Sequence, residues 1–330
     1  MTPQPHPDQP VPDQPVPDQP VPVRLGPADL ADLFGFLVLC DTAVIGQADI
    51  SEEEVVADLR NPAVESYGWR DRSGRLVAHG YVERVADSEK VVVDVYVHPD
   101  HPDQDLGLEV FRFLEERGRV AAVAAGAGAV TYDMGAWRQD RQTQDWLRRS
   151  GYESPTSYVR MRIDLPPADR PVEQPDVPGV RVRRTDLGED DLRAAHRVDS
   201  EAFVEHFGYV PVDLEHYRHR LTEHGPDFTQ LWLAEVDGAV AGLLVGTKRF
   251  EQEHDAGYVD SLATLPSARG RGAGKALLRA YFAAEQAAGR SAVLLHVDVA
   301  NVTGALAIYE SVGMRPIETI DAWVKRVALD

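Results

Sequence analysis

The chain has 330 residues, 43% hydrophobic and 27% charged, with a formal net charge of −20 and a single cysteine. That length suits two domains of roughly 150 residues, each able to bury a core, and the acidity works against nucleic acid and anionic membranes while favouring the approach of cationic amines. One cysteine excludes an internal disulfide and a cysteine-rich metal site, so no metal is expected; no run approaches the roughly 18 apolar residues of a membrane helix, and the basic-then-apolar start of a secretory signal is missing, which points to the cytoplasm.

Residues 7–22 repeat Pro-Asp-Gln-Pro-Val with a five-residue period and read as an extended, disordered tail. Cys40, at the end of Phe36-Leu-Val-Leu-Cys40, reads as a buried small hydrophobe. A Ser73-Gly74 turn separates a run around Trp69 from a strand over Leu76 to Val82, and an apolar strand from Val91 to Pro99 leads into a helix. A polar helix then closes on Gly151, and a strand covers Tyr158 to Leu165. Residues 166–179, rich in proline and acid, read as a linker. Past Val180 to Arg184 comes a hairpin, Leu231 to Val236 and Ala239 to Lys248 around Asp237-Gly238, and then a strand over Tyr258 to Leu265. A helix from about Ala273 to Ala288, a strand over Val293 to Asp298 and a polar helix closing on Gly313 complete a second half that echoes the first. The expected division is a tail over 1–22, a first domain over 23–165, a linker over 166–179 and a second domain over 180–330.

Between the strand ending at Leu265 and the helix starting near Ala273 lies Pro-Ser-Ala-Arg-Gly-Arg-Gly-Ala-Gly-Lys275. Glycines at 270, 272 and 274 let backbone approach a ligand, and the free N–H groups and dipole of the following helix favour an anion such as phosphate. A Walker loop is excluded, because Arg269 holds its first glycine position and Ala276 its hydroxyl position; a dinucleotide fingerprint is excluded because neither Ala273 nor Leu277 is glycine. Arg269-x-x-Gly272-x-Gly274, followed by Asn301, Ala305, Tyr309 and Gly313, resembles the pyrophosphate loop and closing helix of the GCN5-related N-acetyltransferases, the GNAT family. With the echo between halves, the chain resembles a tandem GNAT, the two-domain arrangement of mycothiol synthase.

The resemblance implies an α/β fold, with two tandem GNAT domains, each a mixed, mostly antiparallel sheet flanked by helices. It implies acetyl-CoA or another acyl-CoA as co-substrate, its pyrophosphate on Arg269, Gly270, Arg271, Gly272, Ala273, Gly274 and Lys275. The pantetheine arm would pair with free backbone at Leu262, Ala263 and Thr264, where the strand splays from Val293 to Asp298, and Asn301 would cap the closing helix or bond that arm. Tyr309 matches the general acid that protonates the leaving thiolate. For the base, Asp260 lies two residues past the place of the glutamate that some members carry, so strand alternation puts it on the face of Tyr258; Glu253, His254, His296 and Asp298 are further candidates. His206, Phe207 and Tyr209 fall where acceptor-site helices lie, and with His254 and His296 they are candidates to line the substrate pocket.

Laying Pro99 on Pro266 puts Pro102 on Arg269, Asp103 on Gly270 and Asp105 on Gly272, and laying the closing Gly151 on Gly313 puts Leu147 on Tyr309. Carboxylates would stand where phosphate oxygens must go, so the first domain is expected to be degenerate and the second catalytic. The expected activity is direct N-acylation of a small-molecule amine in a ternary complex; an inactive acyl-CoA-binding or regulatory protein and a protein N-acetyltransferase remain as alternatives. Acceptor, acyl chain and oligomeric state stay open.

Overall fold

The computed structural model describes residues 20–85, 88–103, 105–174, 176–204, 209, 211–222, 228–299 and 305–329. Of the proline repeat, residues 1–19 lie outside the described residues, and Pro22 already belongs to the first strand. In the first half, β1 (Pro22–Arg24) is followed by α1 (Leu30–Ile45), α2 (Glu52–Arg60), β2 (Val64–Arg70), β3 (Leu76–Arg84) and β4 (Lys90–Val97). Next come α3 (Leu106–Ala124), β5 (Ala129–Trp137), α4 (Arg141–Arg149) and β6 (Glu153–Asp164). The second half repeats that order with β7 (Val180–Arg184), α5 (Glu189–Phe203), α6 (Leu214–Thr222), β8 (Thr229–Val236) and β9 (Ala239–Thr247). A short α7 (Glu251–His254) is its one addition before β10 (Ala256–Thr264), α8 (Ala273–Ala287), β11 (Ala292–Asp298), α9 (Ala305–Ser311) and β12 (Arg315–Ala328).

Local chemistry explains these bounds. Ser51 opens α2 with a reciprocal cap, its hydroxyl accepting from Glu54 N while the Glu54 carboxylate accepts from Ser51 N. Asp237 and Gly238 both have positive φ, +51° and +86°, which matches the twist a two-residue hairpin needs between β8 and β9. Helix α8 buries Leu277, Leu278, Tyr281 and Phe282, a stripe at helical spacing, on the sheet.

Among the described residues all twelve strands form one sheet in the order β1-β2-β3-β4-β5-β12-β6-β11-β10-β9-β8-β7, in which only β4–β5 and β10–β11 run parallel. The expectation of a separate sheet in each half is therefore incomplete: the halves exchange their last strands. β12 pairs with β5 of the first half from Ile320↔Trp137 to Ala328↔Ala129, and β6 pairs with β11 of the second from Asp164↔Ala292 to Tyr158↔Asp298. β6 and β12 also pair with each other, so neither leaves an edge to solvent. One core joins Met161 of β6 to α5, α6, α8 and the second-half strands, and another joins Trp323 of β12 to α3, α4 and the first-half strands. No helix among the described residues is long and apolar enough to cross a membrane.

The exchange has a direct test. Residues 180–330 made alone lose β6 from between β11 and β12, leaving two rows of backbone donors and acceptors unpaired. That fragment is expected to aggregate or to melt without cooperativity by circular dichroism, and co-expression with residues 20–179 is expected to restore a sharp transition. A fragment that melts as cooperatively as the whole chain would contradict it.

Candidate active site

β10 and β11 pair only from Ala256↔Ala292 to Val259↔Leu295, while β10 stays paired with β9 as far as Thr264↔Gly242. Beyond Val259 the backbone of Leu262, Ala263 and Thr264 therefore faces no strand on its β11 side. The loop that follows turns at Gly270 (φ +75°) and Gly272 (φ +87°), values that L side chains rarely adopt, and a Cβ on Gly272 would come within 3.0 Å of Val177 Cγ1. α8 begins at Ala273 with no side-chain cap, so the N–H groups of Ala273, Gly274 and Lys275 project from the positive end of the helix. Arg269 and Lys275 add charge there, while Arg271 is held by Asp237 at 3.0 Å.

The first half keeps the strand geometry and loses the loop. β4–β5 pairing ends at Val92↔Asp133, and the register that lays Pro99 on Pro266 also lays the start of α3, Leu106, on the start of α8, Ala273. Asp103 Oδ1 accepts the N–H of Asp105 at 2.9 Å, and the Asp105 carboxylate accepts from Arg149 at 2.8 Å. A Cβ on Gly107 would lie 2.5 Å from the Trp146 ring. Carboxylates and an indole fill the ground that the second half leaves to backbone donors.

Tyr309 sits in α9, 8% exposed within the second-half core. Burial, with the nearby Tyr258 hydroxyl, pushes its phenol up to about 12, so it holds its proton throughout the working range. Asp260 occupies a β-bulge between Val259 and Ser261. Tyr258 is buried beside Phe250, and Asp260, at the bulge, opens into a cavity whose wall includes Thr247, the β9 partner of Tyr258. Enclosure by surrounding protein raises the Asp260 carboxyl above its ordinary range, with Arg220 and Arg249 pulling it part of the way back.

That cavity, of about 960 Å³, lies between the halves. Its second-half wall includes Asp260, Arg220, Thr229 and Thr247, and its first-half wall includes Asp41, Asp58, His79, Tyr81, Asp94 and Tyr96. Eight carboxylates and three cations line it.

His296 and His254 lie elsewhere, in a polar tie between the halves. Arg160 of β6, 1% exposed, pairs bidentately with Asp49 and reaches Glu318 of β12 at 3.2 Å, with its guanidinium over the Trp137 and Phe250 rings. Arg160 Nε also donates to His296 Nε2 at 3.0 Å, and burial holds that imidazole down to about 3, hence neutral. Its proton must then sit on Nδ1 and be donated to Tyr258 Oη at 3.0 Å, so both ring nitrogens are occupied within the protein. His254 Nε2 lies 3.4 Å from Asp49 Oδ1, its ring against Phe250. Breaking one side of such a buried ion pair typically costs about 3–5 kcal/mol, so this tie holds the cleft walls in place. Tyr209 is half-buried, its hydroxyl enclosed without a hydrogen-bond partner. His206, Phe207 and Asn301 lie outside the described residues. Arg160, Arg249 and the first-half carboxylates are additions that the sequence reading missed.

Residues 192–314 match the acetyltransferase (GNAT) family. The second half of the chain thus carries a GNAT domain. Mycothiol acetyltransferase from Frankia casuarinae is 28% identical over 250 residues, spanning 73% of this chain and 69% of that one. Its counterpart from Thermobispora bispora is 34% identical over 168 residues, 48% of this chain and 55% of that one. In fold, a GCN5-related N-acetyltransferase from Sphaerobacter thermophilus superposes with a TM-score of 0.79 over 95% of this chain and 98% of that one, at 24% identity. A tandem GNAT protein from the clavulanic acid biosynthesis pathway gives 0.73 over 94% and 100%, at 16% identity. The fold is thus that of tandem GNAT proteins, and the chain is an acyltransferase.

Proposed function

We propose that this GNAT protein transfers the acetyl group of acetyl-CoA to a small-molecule amine by direct attack in a ternary complex, with the chemistry in residues 180–330. One juxtaposition carries the reading: Asp260 opens onto the cavity from the stretch where β10 leaves β11, next to the unpaired backbone of Leu262 to Thr264. The glycine turn and uncapped start of α8 suit a pyrophosphate, and the splayed strand suits an arm that pairs like a third strand. Asp103, Asp105 and Trp146 argue against a second productive acyl-CoA site in the first half.

In this scheme Asp260 takes the proton of the incoming ammonium, directly or through a water. A backbone N–H between Leu262 and Thr264 steadies the developing oxyanion, and Tyr309 protonates the departing thiolate. Cys40 offers no covalent route: it is 6% exposed in α1, its Sγ lies 3.7 Å from Val97 O, and burial pushes its thiol up to about 12. A mycothiol-type acceptor is a second reading, favoured by the relatives' name and by a 28% identity that runs across both halves.

A free-thiol assay over an amine panel, with a mycothiol-type acceptor among the amines, tests the activity. Initial-rate lines should intersect; parallel lines, or an acyl adduct on Cys40, would establish a covalent route. Asp260→Asn should lower kcat/KM by about a hundredfold. A base works only when deprotonated, so wild-type kcat/KM should fall as pH drops through the raised Asp260 pKa, and the variant should lose that limb. Wild-type turnover with the limb intact would move the base elsewhere.

A further inference from the structure

Asp41, Asp58 and Asp94 reach the cavity from α1, α2 and β4, and none has an ion-pair partner among the described residues. Asp94 Oδ1 accepts the N–H of Val95 at 2.9 Å, and the Tyr96 hydroxyl bonds the same carboxylate. Asp41 accepts the N–H of Asp49 at 2.9 Å. Neither bond supplies a positive charge. Burial raises all three carboxyls, Asp41 and Asp58 to about 6 and Asp94 to about 7, and Asp94 is raised further by its two neighbours. Asp49 and Glu54 of the same cavity pair with Arg160 and Arg249, whereas these three carboxylates have no such counter-charge among the described residues.

A second observation at the same place concerns His79. It is 3% exposed in the cavity wall, its ring 6.1 Å from that of Tyr96 and 6.5 Å from that of Tyr81. Its Nε2 is within 2.9 Å of Ser66 Oγ, while Nδ1 has no partner. Burial keeps the ring neutral, so Nδ1 is an unused hydrogen-bonding position beside the carboxylates rather than a competing charge.

Arg249 separates this end of the cavity from the reacting end. It is held by Glu54 at 3.0 Å, its guanidinium lies 5.9 Å from the Tyr258 ring centre, and its charge acts on Asp58 on one side and Asp260 on the other. A guest filling the cavity therefore meets carboxylate, arginine and carboxylate in turn.

We propose that the acceptor is a di- or polycationic amine: its reacting amine sits at Asp260, and a distal ammonium sits among Asp41, Asp58 and Asp94, with the tyrosine hydroxyls and His79 Nδ1 completing its polar surroundings. This rests on the acyltransferase reading for the reacting end only; the distal site is a binding claim that stands or falls separately.

The full-length protein is titrated by calorimetry with α,ω-diamines from 1,4-diaminobutane to 1,8-diaminooctane and with n-alkylamines of matching length. At least one diamine is expected to bind tenfold or more tightly than its monoamine partner, with an optimum chain length. Equal binding of the two series, or binding of neither, overturns the proposal without any assay of turnover. Asp94→Asn, of nearly the same shape, is expected to reduce the diamine-to-monoamine affinity ratio at least fivefold, and Asp58→Asn to reduce it in the same direction. An unchanged ratio in two variants that melt like wild type also overturns it. A diamine that binds selectively but is never acetylated from acetyl-CoA leaves this site standing and removes the proposed function.

Discussion

Gly272→Asp is expected to raise the Kd for acetyl-CoA by about a hundredfold or more, and Gly272→Ala by only a few-fold. Both variants force an L-residue into a backbone of φ +87° and bring a Cβ to 3.0 Å from Val177 Cγ1. Strain of that kind costs about 1–2 kcal/mol and is common to the pair. Only aspartate adds a negative charge at the uncapped start of α8, where the bound phosphates must meet N–H groups. Acidic residues are not themselves unfavourable at a helix N-terminus, so the Asp variant should melt no lower than the Ala variant while binding far worse. The first half performs the same experiment naturally, since the Asp103 carboxylate occupies the N–H of Asp105. Calorimetric titration of both variants measures the difference. Wild-type affinity and turnover in Gly272→Asp would remove the loop from the acyl-CoA site, and CoA bound on the first half alone would overturn the single-site reading.

Local signals in the sequence translated well into structure. The Asp237-Gly238 turn, the strand from Val180 to Arg184 and the helix opening at Ala273 lie where turn chemistry, a short alternating run and a glycine-rich stop place them. What escaped was set by partners distant in the chain. Strand β6 carries no mark that says which edges it will pair, yet it lies between β11 and β12 rather than finishing its own half. Arg160 alternates with apolar residues in that strand and looks solvent-facing until Asp49 and Glu318 arrive from elsewhere to neutralise it. The bulge at Asp260 leaves that residue without a partner in β9, which a strand pattern does not reveal. His296 has both ring nitrogens hydrogen-bonded within the protein and His254 lies against Asp49, so both sit in the polar tie, a placement that depends on residues distant in the chain. Asp94 did carry a visible signal, a lone acid in the run Lys-Val-Val-Val-Asp-Val-Tyr-Val, but that Asp41 and Asp58 share its wall of the cavity is set by the fold.

The exchanged strands also bear on how the two halves cooperate. β6 brings Arg160 to His296, and β12 brings Glu318 to Arg160, so the polar tie behind the reacting strand is built from both halves. The first half, its own loop filled, contributes one wall of the cavity and one strand of the second half's sheet.

Tyr309→Phe is expected to lower kcat by about ten- to a thousandfold while leaving affinity for acetyl-CoA nearly unchanged. The substitution keeps the ring that packs in the second-half core and removes one oxygen, so the melting temperature should barely move. A thiolate departing into an enclosed site needs a proton at that moment, and a phenol held near 12 retains one to give. The sign of the pH dependence follows: the acid form is complete below that value, so Tyr309 contributes no alkaline limb near neutrality, and the variant's deficit should be the same from pH 6 to 9. A thioester donor with a more acidic thiol depends less on protonation, so it should restore the Phe variant by a larger factor than it accelerates wild type. A flat response to the leaving group, or a Phe variant that turns over at the wild-type rate across pH, would mean that water or another group is the acid and that Tyr309 is there for packing.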